Sequence, residues 1–237
     1  MPRDDSGIII AINFPSTDHV HSDFAVDLAR LISYTEHHVG DQIKALLVNG
    51  VSGSIVHKAR QELAEQAERQ RADYSLWIDS DMRFPRDALV RLLNRQVDIV
   101  GVNYVTRKQP MRPVALKTIR TVEGGPGVYL GTDEASTGLE EVEAIGFGMV
   151  LIHGSVWSRI GPPPWFLFEY DRDLDTHVGE DVYFCRLARE HGLKIMVDHD
   201  LSKEIRHIGQ WEFRLDHLQM LEEAAEEAEA PQLEVVE

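Results

Sequence analysis

Apolar runs rich in branched residues alternate with segments of helical period through the first hundred residues. Ile8 to Phe14 reads as a buried strand, and from Phe24 to Tyr34 the residues Phe24, Leu28, Leu31 and Ile32 share one helical face. Ile43 to Asn49 returns as a second strand, and Gly50 to Ser54 reads as a turn. Ile55, Ala59, Leu63 and Ala67 then recur every four residues among charged ones, which predicts a helix beginning near Ser54. Tyr74 to Ile78 and Asp98 to Val102 are the next strands. Between them lies a helix from about Pro85, where proline suits a first turn, to Asn94. This rhythm predicts an α/β unit on a parallel sheet.

After Val102 the alternation stops. Prolines and glycines from Pro110 to Gly127 break the chain into short strands and turns, and Thr132 to Gly138 reads as a polar loop. The second half is α+β in character: a strand at Gly148 to His153, a proline-rich turn at Gly161 to Pro164, a helix from about Gly179 to His191 and a strand at Lys194 to Val197. A last amphipathic helix is expected from near Trp211. No repeat and no Gly/Ser-rich linker divides the 237 residues.

Charge narrows the function classes. The formal net charge of −16 argues against a broadly basic surface that tracks nucleic acid or anionic lipid. Seven glutamates and no basic residue follow Leu221, so a solvated acidic tail carries nearly half of that excess. The lone cysteine, Cys185, excludes disulfides within the chain and cysteine-built zinc sites, and it sits on an apolar helical face as a core thiol. No run approaches the roughly 20 apolar residues that cross a bilayer. With an acidic start at Met1-Pro2-Arg3-Asp4-Asp5, the expected location is the cytoplasm.

Asp-x-Asp occurs four times, and context selects one occurrence. Only Asp79-Ser80-Asp81 leaves a buried strand, which places both carboxylates where open α/β sheets bind ligands. Such a pair can hold a hard divalent cation beside a ribose or phosphate, although it also suits a solvated turn in which one Asp caps a backbone N–H. Glu180 and Asp181 begin a helix whose apolar face is Val182, Phe184, Leu187 and Ala188. They complement the helix dipole, and one could serve as a general base. His207 with two carboxylates would favour Mn²⁺ over Ca²⁺, while one histidine among eleven is also simply a hydrogen-bonding residue. The run Asp171, Asp173, Asp175 fails as an EF-hand, with Thr176 where glycine and Val182 where glutamate would stand. No Gly-x-Gly-x-x-Gly turn or P-loop follows the first strand, where Asn13-Phe14-Pro15-Ser16 stands instead.

Taken in order, YSLWIDSDMRF (Tyr74 to Phe84), AIGFGMVLI (Ala144 to Ile152), GEDVYFCR (Gly179 to Arg186) and His207-Ile208-Gly209 resemble the GT-A glycosyltransferases, in particular bacterial and bacteriophage members similar to family 2. The resemblance covers about Ile8 to Gly209. It implies a Rossmann-like, mostly parallel central sheet flanked by helices, with an α+β acceptor-side half. Residues 1–210 would be a single catalytic domain, 1–103 its nucleotide-binding half and 104–210 its acceptor-side half, with 211–237 a C-terminal helix and acidic tail.

Residue by residue, the resemblance implies that Asp79 contacts the donor ribose or the metal, that Asp81 ligates the metal and that His207 completes the set. Asp181 would be the catalytic base, and Glu180 would bind or orient the acceptor. Pro15, Ser16 and Thr17 would hold the nucleoside, with Arg60 and Ser80 beside the nucleotide; Gly146, Phe147 and Gly148 would approach the sugar. The implied activity is a hexosyltransferase using a UDP-sugar, or alternatively a GDP-sugar, with Mn²⁺ or Mg²⁺. The expected acceptor is a saccharide or small hydroxylated molecule. The alternatives are a hydroxymethylated DNA base, with Arg107, Lys108, Arg112, Lys117 and Arg120 as a local basic patch, and a non-catalytic nucleotide-sugar binding module.

Overall fold

The structure, a computed structural model, describes residues 7–107, 110–120, 126–172 and 175–209. The helix expected from Trp211, the acidic tail and Lys108 lie outside the described residues. In chain order the first half comprises β1 (Ile8–Ser16), α1 (Ser22–Val39), β2 (Ile43–Ser52), α2 (Val56–Arg69), β3 (Tyr74–Ile78), β4 (Met82–Arg83), α3 (Ala88–Asn94) and β5 (Ile99–Gly101). The remainder comprises β6 (Leu116–Arg120), β7 (Pro126–Tyr129), β8 (Leu139–Val142), β9 (Met149–His153), α4 (Ser155–Arg159), β10 (Glu169–Asp171), β11 (Thr176–Val178), α5 (Glu180–Glu190), β12 (Ile195–Asp198), α6 (His199–Ser202) and β13 (Arg206–His207).

Seven strands form one central sheet in the order β2-β1-β3-β9-β5-β12-β8. β1 runs parallel to β2 and β3, and β5 runs parallel to β12, while β9 lies antiparallel between β3 and β5 and β8 lies antiparallel on the β12 edge. Five strands therefore point one way, and the sheet is mostly parallel. The period-2 alternation explains why both faces are covered. Trp77, Val150 and Ile152 pack with Leu63 of α2 and Phe184 and Ala188 of α5. Their neighbours Leu76, Ile78, Met149 and Leu151 turn to the opposite cluster with Phe24 and Leu31 of α1 and Leu89 of α3. Burial on both faces is the reason these strands read as near-continuous apolar runs.

Two expectations are corrected, and one strand is added. β2 does not stop at Asn49: it pairs with β1 through Ser16↔Ser52, and Gly50 lies inside it because a Cβ there would stand 2.7 Å from the Phe14 ring. The third helix begins at Ala88 rather than near Pro85, whose carbonyl accepts the Ala88 N–H at 3.1 Å in the preceding turn. β8 forms the sheet edge within a stretch too polar to show an apolar strand pattern. Cys185 is buried as expected, and burial pushes its thiol up to about 12.

Candidate functional site

The parallel strands deliver the site to one edge of the sheet. β1 and β2 end side by side at Ser16 and Ser52, and β3 ends at Ile78, so Asp79-Ser80-Asp81 emerges beside them. A tight turn follows, closed by Met82 N–H donating to the Asp79 carbonyl at 3.1 Å. Pro15, Ser16, Thr17, Gly53, Asp79, Ser80, Asp81 and Arg107 line a cleft of about 280 Å³ there. A larger groove of about 480 Å³ runs along α1 beside Arg86 and includes none of the predicted site residues.

Arg60 ties the floor of the site together. It is 4% exposed on α2, and its guanidinium donates at 2.7 Å to Asp79 Oδ1 and at 2.7 Å to Glu180 Oε1. The same guanidinium lies 5.1 Å from the centre of the Phe147 ring. Burial opposes its charge, but Asp79, Glu180 and Asp181 hold it charged above the ordinary arginine value. Glu180 is 8% exposed and committed to Arg60. Asp181, at the first turn of α5, has no cationic partner of its own among the described residues. Loss of hydration, reinforced by the neighbouring Glu180 charge, pushes its carboxyl up to about 6.

Asp81 and His207 meet through the pairing of β4 with β13, where His207 lies opposite Met82 and Ile208 N–H donates to the Asp81 carbonyl at 2.8 Å. His207 Nδ1–H donates to the Val105 carbonyl at 2.9 Å, which turns Nε2 toward Asp81 Oδ2 at 3.5 Å. Fixing one ring nitrogen in this way is how a ligand histidine is oriented. Burial disfavours charge on Asp81, yet His207 and Arg107 hold its carboxyl below the usual range.

The residues are suited to a divalent cation in one specific respect. Asp81 Oδ1 is buried and has no hydrogen-bond partner, a costly state for a carboxylate oxygen unless a cation meets it. Among the described residues no three His, Cys, Asp or Glu side chains already converge as a cluster. Asp79 Oδ1 faces Arg60, and Asp81 Oδ2 receives the Arg107 guanidinium at 2.9 Å.

Gly146, Phe147 and Gly148 pack against Tyr104 and Arg60. Phe147 is buried in the core beneath Arg60. Gly146 and Gly148 leave room for Tyr104: a Cβ would stand 2.7 Å from its hydroxyl at Gly146 and 2.5 Å from its ring at Gly148. Gly148 N–H donates to the Tyr104 hydroxyl at 3.0 Å, and the Tyr104 ring meets His207 edge-on at 5.2 Å. Burial, then the Asp79 charge, keeps that phenol neutral. Tyr104 is a site residue that the sequence did not suggest, and Arg107, expected only as part of a basic patch, lines the cleft. The small-residue pattern Gly146-x-Gly148 was the signal that a ring packs there.

With this geometry in place, comparison with known proteins identifies the fold. No family model matches the chain, and no curated protein matches it in sequence. Among solved structures, GalNAc-T7 with UDP, GalNAc and Mn²⁺ aligns with a TM-score of 0.50 at 12% identity over 88% of this chain, which spans 44% of that one. A197 from STIV aligns with a TM-score of 0.49 at 16% identity, covering 88% of this chain and 98% of that one. A glycosyltransferase involved in the glycosylation of the major capsid of PBCV-1 aligns with a TM-score of 0.30 at 17% identity, covering 66% and 68%. The chain has a GT-A-type α/β fold, a mostly parallel sheet with flanking helices. No helix among the described residues is long and apolar enough to cross a membrane.

Proposed function

We propose that this chain is a glycosyltransferase that moves a sugar from a nucleotide diphosphate-sugar to a hydroxyl acceptor with help from a divalent metal. The observation that carries the proposal is the cleft at the carboxyl edge of the sheet, where Asp79 and Asp81 stand beside Pro15-Ser16-Thr17 with Asp81 Oδ1 buried and unpartnered. A 1–210 catalytic domain with a nucleotide-binding half up to residue 103 fits this placement, since the cleft is built mainly from that half. Pro15, Ser16, Thr17 and Ser80 would cradle the nucleoside and ribose. Asp79, Asp81 and His207 would hold the metal, which when bound supplies positive charge to the departing diphosphate. UDP and Mn²⁺ are the first choices because the structurally similar GalNAc-T7 was solved with them; GDP and Mg²⁺ are the alternatives.

Asp181 is assigned the role of base. The acceptor oxygen attacks the anomeric carbon opposite the diphosphate, its proton passes to the Asp181 carboxylate, and the bond to the diphosphate oxygen breaks, giving inversion. A carboxyl at about 6 is ionised at neutral pH yet basic enough to take that proton. Glu180, held by Arg60, orients the first turn of α5 and with it Asp181. Arg60 acts through Asp79 and Glu180 rather than on the donor directly. The test is nucleotide release from UDP- and GDP-sugars with Mn²⁺ and with chelator. Metal-dependent turnover is expected; tight donor binding without any turnover would identify a binding module instead.

A further inference from the structure

The hairpin of β10 and β11 lies outside the donor cleft and runs directly into the α5 start that carries Asp181. Its register pairs Tyr170 with His177 and Glu169 with Val178. Phe168 and Tyr170 are 55% and 50% exposed, unusual for side chains of this size and apolarity. The two rings are not scattered. Phe168 stacks on His177 at 5.0 Å with 12° between planes, and Tyr170 meets the same His177 edge-on at 5.1 Å. Three rings thus form one exposed aromatic cluster. His177 stands four residues before Asp181, so at most about 14 Å of chain separates their backbones.

The charged group in contact with the rings is a carboxylate. Asp175 is exposed beside them and accepts from the Tyr170 hydroxyl, while Glu169 projects from the opposite face of the hairpin and Arg172 is exposed past the end of the strand. Flat rings present an apolar face, and carboxylates accept hydrogen bonds from hydroxyl groups while repelling phosphate. A pyranose has the complementary chemistry, with a C–H face and a rim of hydroxyl donors. We infer that Phe168, Tyr170 and His177 form the acceptor subsite and that it takes a neutral saccharide, stacked on an exposed ring with a hydroxyl turned to Asp175. This rests on the glycosyltransferase reading of the cleft and supplies the acceptor class that the reading leaves broad.

The experiment is saturation-transfer NMR and calorimetry on the full chain, using lactose, maltose, cellobiose and mannobiose as probes, with UDP plus Mn²⁺ measured separately. At least one disaccharide should bind, Phe168→Ala and Tyr170→Ala should each weaken it about tenfold, and Tyr170→Phe, which keeps the ring, should retain most of the affinity. UDP affinity should be the same in all four proteins, because these side chains lie outside the donor cleft. UDP binding without binding of any disaccharide overturns the acceptor assignment and leaves the donor site intact. So does disaccharide binding that is indifferent to both alanine variants, or binding of hydroxymethylated DNA that the alanine variants abolish. Failure of UDP itself to bind removes the reading of the cleft, and the acceptor subsite with it.

Discussion

At the scale of single residues the site is an electrostatic imbalance: one guanidinium faces Asp79 and Glu180 and feels Asp181, which no cation among the described residues pairs. Two consequences can be measured. Because Asp181 titrates at about 6, transfer should rise with pH through that value and level off above it. Asp181→Asn should flatten the profile and lower transfer about 10²–10⁴-fold while donor binding survives. The stability effect has the opposite sign. The folded-state value lies above the ordinary carboxyl value, so the folded protein takes up the proton more readily, and stability falls as pH rises from about 4 to about 6. At pH 8 Asp181→Asn should therefore raise the thermal midpoint. An unchanged or lowered midpoint would show that the carboxylate is not electrostatically strained. Arg60→Met, by contrast, leaves Asp79 and Glu180 without their cation and should cost about 3–5 kcal/mol in a urea titration. Arg60→Lys should recover only part of that, since an ammonium cannot fork between two carboxylates.

At the scale of elements, short pieces position the proposed metal ligands and the glycine segment. The β4–β13 pair holds His207 against Asp81, so His207→Ala should weaken Mn²⁺-dependent nucleotide binding about 10–100-fold without unfolding the sheet. Equal affinity in the variant, measured by calorimetry, would remove His207 from the ligand set. Gly148→Ala would press a methyl into the Tyr104 ring and should cost about 1–3 kcal/mol, a penalty reduced when Tyr104 is also changed to alanine. These same elements mark the limit of what the sequence shows. β1, β3 and β9 are legible as continuous apolar runs and α2 by its four-residue period, and Asp79 to Asp81 is legible because it follows such a strand. β4 and β13, at two residues each, have no period to read, and their pairing is a tertiary event. The Asp181 carboxyl is visible in the sequence as a helix-start residue, but its upward shift comes first from burial, which the sequence does not show, with the adjacent Glu180 and the distant Asp79 adding to it while Arg60 opposes it.

At the scale of the whole molecule, charge decides which acceptors can approach. The formal −16 includes an acidic tail, yet the remainder of the chain still carries −9, so no long-range field gathers a polyanion. The local basic run that could have compensated is largely engaged. Arg107 is paired with Asp81, Lys117 with Glu140 at 3.2 Å, and the Arg112 guanidinium lies over the Tyr129 ring at 5.7 Å. A duplex recognised through phosphates would have to compete with each of these contacts, and it would release few counterions in doing so. Hydroxymethylated duplex DNA at low salt should therefore show no binding in a fluorescence anisotropy titration, with or without UDP and Mn²⁺. Neutral saccharide binding should be nearly independent of ionic strength, because no net charge is neutralised when it forms. Binding to the duplex that falls steeply with added salt, and is lost in Arg107→Ala, would show that the basic run is free to engage a backbone and would move the acceptor from sugar to nucleic acid.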